Sequence, residues 1–142
     1  MTYDYRAKKI VAVLAANLSA GIALNVVGHM ALALGAQGES GLIGRSRLLD
    51  ASGVEHAGIS RYPFIVTRTS AGKLKRLLEL ARPRKDVRIV DFPEQMLTTG
   101  HDDELASSLA SVKEVELTYL GVLLYGDAAI LHELTGKFSL WQ

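Results

Sequence analysis

The hydrophobic pattern divides the chain into alternating strand-like and helix-like stretches. "KKIVAVLAA" at residues 8–16 is a short unbroken apolar run with β-branched members, the pattern of a central strand covered on both faces. A helix follows it, with Ser19 placed to cap the first turn and Gly35 near the end. "PFIVTRTS" reads as a second strand ending in helix-capping residues. "AGKLKRLLELARP" reads as an amphipathic helix with Leu74, Leu77, Leu78 and Ala81 inward, stopped by Pro83. "DVRIVDF" is a further strand, "PEQMLTTG" a loop, and "HDDELASSLASVK" a short helix whose acids stand at the positive end of its dipole. "VELTYLGVLLYG" is the longest strand, and "DAAILHELTG" the last helix, closed by Gly136. Residues 37–62, rich in Gly, Ser and charge, read as a loop excursion with one short strand at "RLLDA". This alternation predicts a three-layer α/β domain over residues 1–142, built on a largely parallel sheet.

The first helix raises a question of its own. At 100° per residue, Gly21, Asn25, Gly28, His29, Leu32 and Ala36 fall on one arc, whereas Leu24, Val26, Val27, Met30, Ala31 and Leu34 lie outside it. A histidine in such a setting is most often a hydrogen-bonded core residue. Asn25, one turn earlier, adds a second polar group that needs a partner or a ligand.

Composition narrows the field. With 142 residues, 22% of them charged, the chain is one domain's worth and can build a proper core. It has no cysteine, which excludes disulfides and thiolate metal sites and makes the cytoplasm the expected compartment. Residues 10–36 reach the roughly 20 residues of a membrane span, but Asn17, Ser19, Asn25 and His29 interrupt them, and no membrane association is expected. The four histidines, at 29, 56, 101 and 132, show no metal-ligand spacing. There is no G-x-G-x-x-G fingerprint and no P-loop, so no metal and no cofactor is expected.

The net charge of +1 conceals an asymmetry. Residues 45–88 hold eleven Lys or Arg against four Asp or Glu, and residues 89–142 hold two against nine. The split fits a polyanion-binding face, or complementary packing within or between chains. Lys73, Lys75, Arg76 and Arg82 decorate a solvated helix face; with Arg61 and Arg68 they form an alternative phosphate-binding set.

Candidate chemistry gathers at the strand ends. The turn "AANLSAG" places a helix N-terminus, with Asn17 and Ser19, at the carboxyl end of the sheet, where open α/β sheets bind ligands. Asp91 shares a pleat face with Val87 and Ile89, so a carboxylate ends an otherwise apolar row. Its ordinary role is to cap the turn into Pro93. Thr118 is an ordinary β-former that also stands near a strand end.

Several blocks carry a resemblance. "NVVGHMALALGA", "RYPFIVTRTSAGKLKRL", "VRIVDFPEQM" and "YLGVLLYGDAAILHELTGKFSLW", in this order, resemble a family of uncharacterised proteins, the domain of unknown function numbered two thousand. That family looks like a relative of the type II peptidyl-tRNA hydrolases, which share Leu120–Gly121, Gly126 and Thr135–Gly136 of the last strand and helix. The resemblance implies a four-stranded mixed, mostly parallel sheet sandwiched between helices, its last strand antiparallel, and a homodimer as the assembly. It aligns Asp91 with a catalytic Asp, His29 with a His of the first helix, and Thr118 with a Thr of the last strand. Three positions depart from the pattern. The hydrolases' Asp-Leu is Asn17–Leu18 here, their Gly-Lys loop has become Ser19, Ala20 and Gly21, and a second Thr aligns with Gln95. A missing preorganised cation typically costs about 10²–10³ in rate.

Three functions follow as expectations. The first is a cleft at the strand ends, lined by Asn17, Ser19, Asn25 and Arg68, that binds a small polar or anionic ligand. The second is a hydrolase of peptidyl-tRNA or another acyl ester or amide, with Asp91, His29 and Thr118 as its catalytic residues and tRNA as partner. The third is a structural or interaction protein that self-associates through its charge-split surface.

Overall fold

A computed structural model describes residues 2–142. In chain order it contains β1 (Lys8–Ala15), α1 (Ala20–Ala36), β2 (Arg47–Leu49), β3 (Glu55–Ala57), β4 (Phe64–Thr69), α2 (Ala71–Ala81), β5 (Arg88–Pro93), α3 (Gln95–Thr98), α4 (Asp102–Ala110), β6 (Tyr119–Asp127), α5 (Ala128–Thr135) and β7 (Ser139–Leu140). A single 3₁₀ turn, Glu114–Glu116, precedes β6.

The main sheet has the order β5-β6-β1-β4-β7. Residues Ile10 to Ala15 of β1 are all buried, as the unbroken apolar run predicts for a central strand. β1 pairs parallel to β4 and antiparallel to β6, while β5 and β7 pair antiparallel to β6 and β4. Two expectations are corrected here. The sheet has five strands rather than four, because Ser139–Leu140 adds a short rung opposite Thr67 and Arg68. It is mixed rather than mostly parallel: β1, β4 and β5 run one way, but only β1 and β4 pair parallel. β6 enters between two of the three co-directional strands and converts their contacts to antiparallel ones.

The side-chain alternation of β1 divides the core. Ile10, Ala12 and Leu14 meet Ala23, Val26, Met30 and Leu34 of α1. Val11, Val13 and Ala15 meet Leu74, Leu77, Leu78 and Ala81 of α2, with Leu131 and Leu134 of α5. The result is three layers. Burying each of Leu74, Leu77 and Leu78 contributes about 1.5–3 kcal/mol. α1 can approach the sheet closely because β6 offers Gly121 beneath it: a Cβ there would stand 2.8 Å from Val26 Cγ1 and 3.0 Å from Met30 Cε.

Smaller differences from the sequence pattern have local causes. The short strand at Arg47–Leu49 pairs with an exposed partner, β3, in a separate hairpin. The segment read as a loop at residues 93–100 contains the one-turn helix α3. The long strand read from Val115 starts only at Tyr119, so Thr118 lies outside it. Among the described residues, no helix is long and apolar enough to cross a membrane.

Candidate functional site

β5 is one of the two edge strands of the main sheet, and its pleat sends neighbouring side chains to opposite layers. Val90 and Phe92 pack with the α1 core, and Ile89 with the α2 core. Asp91 follows Ile89 towards α2, so the strand's polar group and its aromatic group serve two different surfaces.

On the α1 side lies a groove of about 490 Å³ between α1, the end of β5, and the α3–α4 segment. Met30, Phe92, Met96 and Leu105 give it an apolar body; His29, His101 and Asp102 supply polar groups. The His29 ring tilts against Phe92 with centroids 6.2 Å apart. His101 is the residue that precedes α4, and its side chain makes no capping bond there. Asp91 also borders this groove, at the edge of the strand. No Lys or Arg lines it.

On the α2 side, Asp91 enters a polar cluster. Arg82, the residue that ends α2, places Nη2 3.5 Å from Asp91 Oδ2 and 3.0 Å from the Tyr119 hydroxyl. Its Nη1 stands 3.2 Å from Glu114 Oε2, and the Tyr119 hydroxyl donates to that same oxygen at 2.8 Å. Tyr119 reaches this face because of a β-bulge. The register shifts between Phe92, opposite Gly121, and Pro93, opposite Tyr119, so one extra residue turns the tyrosine towards α2.

The electrostatics of the cluster are unequal. Burial raises the Asp91 carboxyl above the usual range; the Arg82 charge and its hydrogen bond lower it, and the nearby Glu114 charge raises it again. Burial wins because the Arg82 contact is long and shared. Glu114 goes the other way, held low by the Tyr119 hydrogen bond and then by Arg82. Burial raises the Tyr119 hydroxyl. A half-buried carboxyl with a raised pKa beside a guanidinium is suited to proton transfer, and it is also an arrangement that structural ion pairs adopt.

The structure brings His29 and Asp91 to one groove, although the Asp91 carboxylate turns to the other side of the strand. Thr118 stands close by through its backbone, where its carbonyl accepts the Glu94 N–H at 2.9 Å. The remaining predicted residues do not line the groove. Asn17 and Ser19 are exposed on the β1–α1 turn, and the Ser19 side chain makes no cap bond despite its extended backbone. Asn25 is exposed on the outer side of α1. Arg68 is exposed on β4, three strand spacings from β5 or roughly 14 Å. Sequence reasoning missed Arg82, Tyr119 and Glu114 as a unit, and passed over His101 and Asp102 as a helix start. The bulge is invisible in sequence, but an Arg closing an amphipathic helix just before the Asp91 strand was a usable signal. Among the described residues, no three His, Cys, Asp or Glu side chains are grouped to hold a metal ion.

No curated protein matches the chain. The protein of unknown function Atu0240 from Agrobacterium tumefaciens strain C58 has a similar structure, with a TM-score of 0.84, 24% identity, and coverage of 95% of this chain and 98% of that one. At that identity the likeness speaks for the fold. The family model described as protein of unknown function, DUF2000, matches residues 8–142, and the chain therefore belongs to the DUF2000 family.

Proposed function

We propose that this chain is a single-domain cytoplasmic protein that binds a small ligand with an apolar body and a polar end, in the groove between α1, β5 and α3–α4. The observation that carries this reading is that His29 and His101, from separate elements, line one groove of about 490 Å³. That volume lies within the roughly 300–1,000 Å³ of small-molecule sites, which combine an apolar lining with a few polar groups. The charge of the lining selects among ligands. With Asp102 present and no Lys or Arg, the groove favours a neutral or cationic polar end over an anionic one. A thermal-shift series with amines, amides and nucleosides tests this. A ligand at 100 times its dissociation constant adds about 2.7 kcal/mol. The shift should disappear in His29→Ala and His101→Ala. If no member of the series shifts the unsubstituted chain, the reading fails.

A second reading, hydrolysis of peptidyl-tRNA or another acyl ester, is favoured by the contact between Asp91 and Arg82. The resemblance to type II peptidyl-tRNA hydrolases implies a catalytic Asp and a cation. Ser19, Ala20 and Gly21 supply no cation, whereas Arg82 stands 3.5 Å from Asp91. The antiparallel direction of β6 supports this reading, within a sheet of five strands rather than the four that the resemblance implies. In this reading Asp91 takes the proton of a water as the water oxygen bonds to the ester carbonyl carbon, and Arg82 steadies the developing oxyanion; collapse of the adduct then breaks the C–O ester bond, and the departing ribose oxygen takes that proton from Asp91. Release of peptide from peptidyl-tRNA by the unsubstituted chain, lost in Asp91→Asn without any fall in melting temperature, would support it. An absence of release rejects it. A homodimer, as the resemblance implies, has an apolar surface available in Leu24 and Leu32, which are 73% and 72% exposed on α1. Light scattering reads the assembly directly.

A further inference from the structure

A second cavity, of about 790 Å³, lies at the other end of the sheet, where β1 and β5 begin and β6 ends. Separate segments supply its charge: Lys8 and Arg88 from the starts of β1 and β5, Arg84 and Lys85 from the turn between α2 and β5, and Arg82, which is paired with Asp91 and Glu114. Three carboxylates also line it, and each is already engaged. Glu39 accepts from Arg88 at 2.9 Å, Asp86 stands 3.7 Å from Arg84, and Asp127 accepts from the N–H groups of Ala129 and Ile130. Two cations are left over. Among the described residues neither Lys8 nor Lys85 takes part in an ion pair. The Lys8 ammonium stands 5.6 Å from the centroid of the Tyr125 ring.

Tyr125 points to a ligand independently of these charges. It lines this cavity, is only 2% exposed, and its hydroxyl has no hydrogen-bond partner among the described residues. An unsatisfied buried hydroxyl costs about 1–3 kcal/mol, and native proteins rarely leave one without a partner. Burial also keeps this phenol protonated, so it is available as a donor.

We propose that this cavity is a binding site for a small molecule carrying a phosphate monoester. Two unpaired ammonium groups match the dianion, and the Tyr125 hydroxyl donates to it or to the group it carries. The volume holds more than the phosphate alone and is ample for a nucleoside monophosphate. The site is separate from the groove beside His29 and does not depend on the function assigned there.

Calorimetric titration of the full chain with AMP and inorganic phosphate at low salt tests the proposal, with adenosine and succinate as controls. Saturable binding of AMP or phosphate is expected, with none for adenosine. A Lys8→Gln/Lys85→Gln double variant should weaken it by at least about tenfold. His29→Ala should leave it unchanged. Tyr125→Phe gives a readout that a purely structural hydroxyl would not: weaker binding, with an unliganded melting temperature equal to or above that of the unsubstituted chain. The proposal is overturned if neither phosphate compound saturates, if succinate binds as tightly, if the double lysine variant retains binding, or if Tyr125→Phe binds normally.

Discussion

The Asp91 carboxylate stands 3.5 Å from the Arg82 guanidinium, on the opposite side of β5 from Phe92 and the His29 ring that tilts against it. One strand thus divides the polar chemistry of this end of the molecule between two surfaces. The consequences can be measured one residue at a time.

The raised pKa of Asp91 gives a signed dependence on pH. A carboxyl whose folded pKa lies above its unfolded one holds extra protons in the folded state across that interval, so stability falls as pH rises through it. Asp91→Asn removes the titration. Relative to the unsubstituted chain, the variant should gain stability as pH rises from the ordinary Asp range through the folded pKa. The gain should vanish at about pH 3, where both states of the natural residue are protonated. Urea melts at acid and neutral pH check this. A variant that loses ground at neutral pH would show that the Arg82 contact outweighs burial.

Two glycines should respond oppositely to alanine. A Cβ at Gly28 of α1 meets nothing within 4 Å, so Gly28→Ala should stabilise the chain by about 0.5–1 kcal/mol through helix propensity. At Gly121 the same methyl crowds Val26, Met30 and Leu14, and Gly121→Ala should cost about 1–3 kcal/mol. Chemical denaturation separates the two. A destabilised Gly28→Ala would mean that this face of α1 is packed against a partner.

The two helix caps are unequal. Asp127 accepts from Ala129 at 2.9 Å and Ile130 at 3.3 Å at the start of α5, and Asp127→Ala should cost about 1 kcal/mol. Ser19 precedes the longer helix but bonds nothing with its hydroxyl, so Ser19→Ala should change the melting temperature very little. Equal losses in the two variants would contradict this assignment.

Thr67 donates to the Ala12 carbonyl at 3.0 Å and is 4% exposed. Thr67→Val keeps the shape and removes the donor, leaving that carbonyl its ladder partners alone. A loss of about 1 kcal/mol is expected, read as a lower urea midpoint with unchanged slope.

How much of this was legible beforehand follows from the range over which each feature is encoded. The inward leucines of α2, its capping Ser70 and the buried run of β1 depend on neighbours one or two turns away, and a linear pattern carries them directly. The three-layer arrangement follows from alternating elements of this kind, because each must bury an apolar face. Strand direction and pairing are not encoded in that pattern. β6 lies between β5 and β1, and the two residues of β7 are too few to show any period. The site was legible in its members but not in its grouping. Asp91 and His29 could be named from local pattern and resemblance, whereas Arg82 joined Tyr119 only because a bulge turned one side chain over, and His101 joined His29 only because α3 packs on the end of β5 and α4 on α3. The sequence by itself determined the longer strands and helices and which faces they bury, since those depend on contacts near in the chain. Only the tertiary structure decided which polar groups meet, because the residues that form the groove and the cluster come together only after the strands have paired.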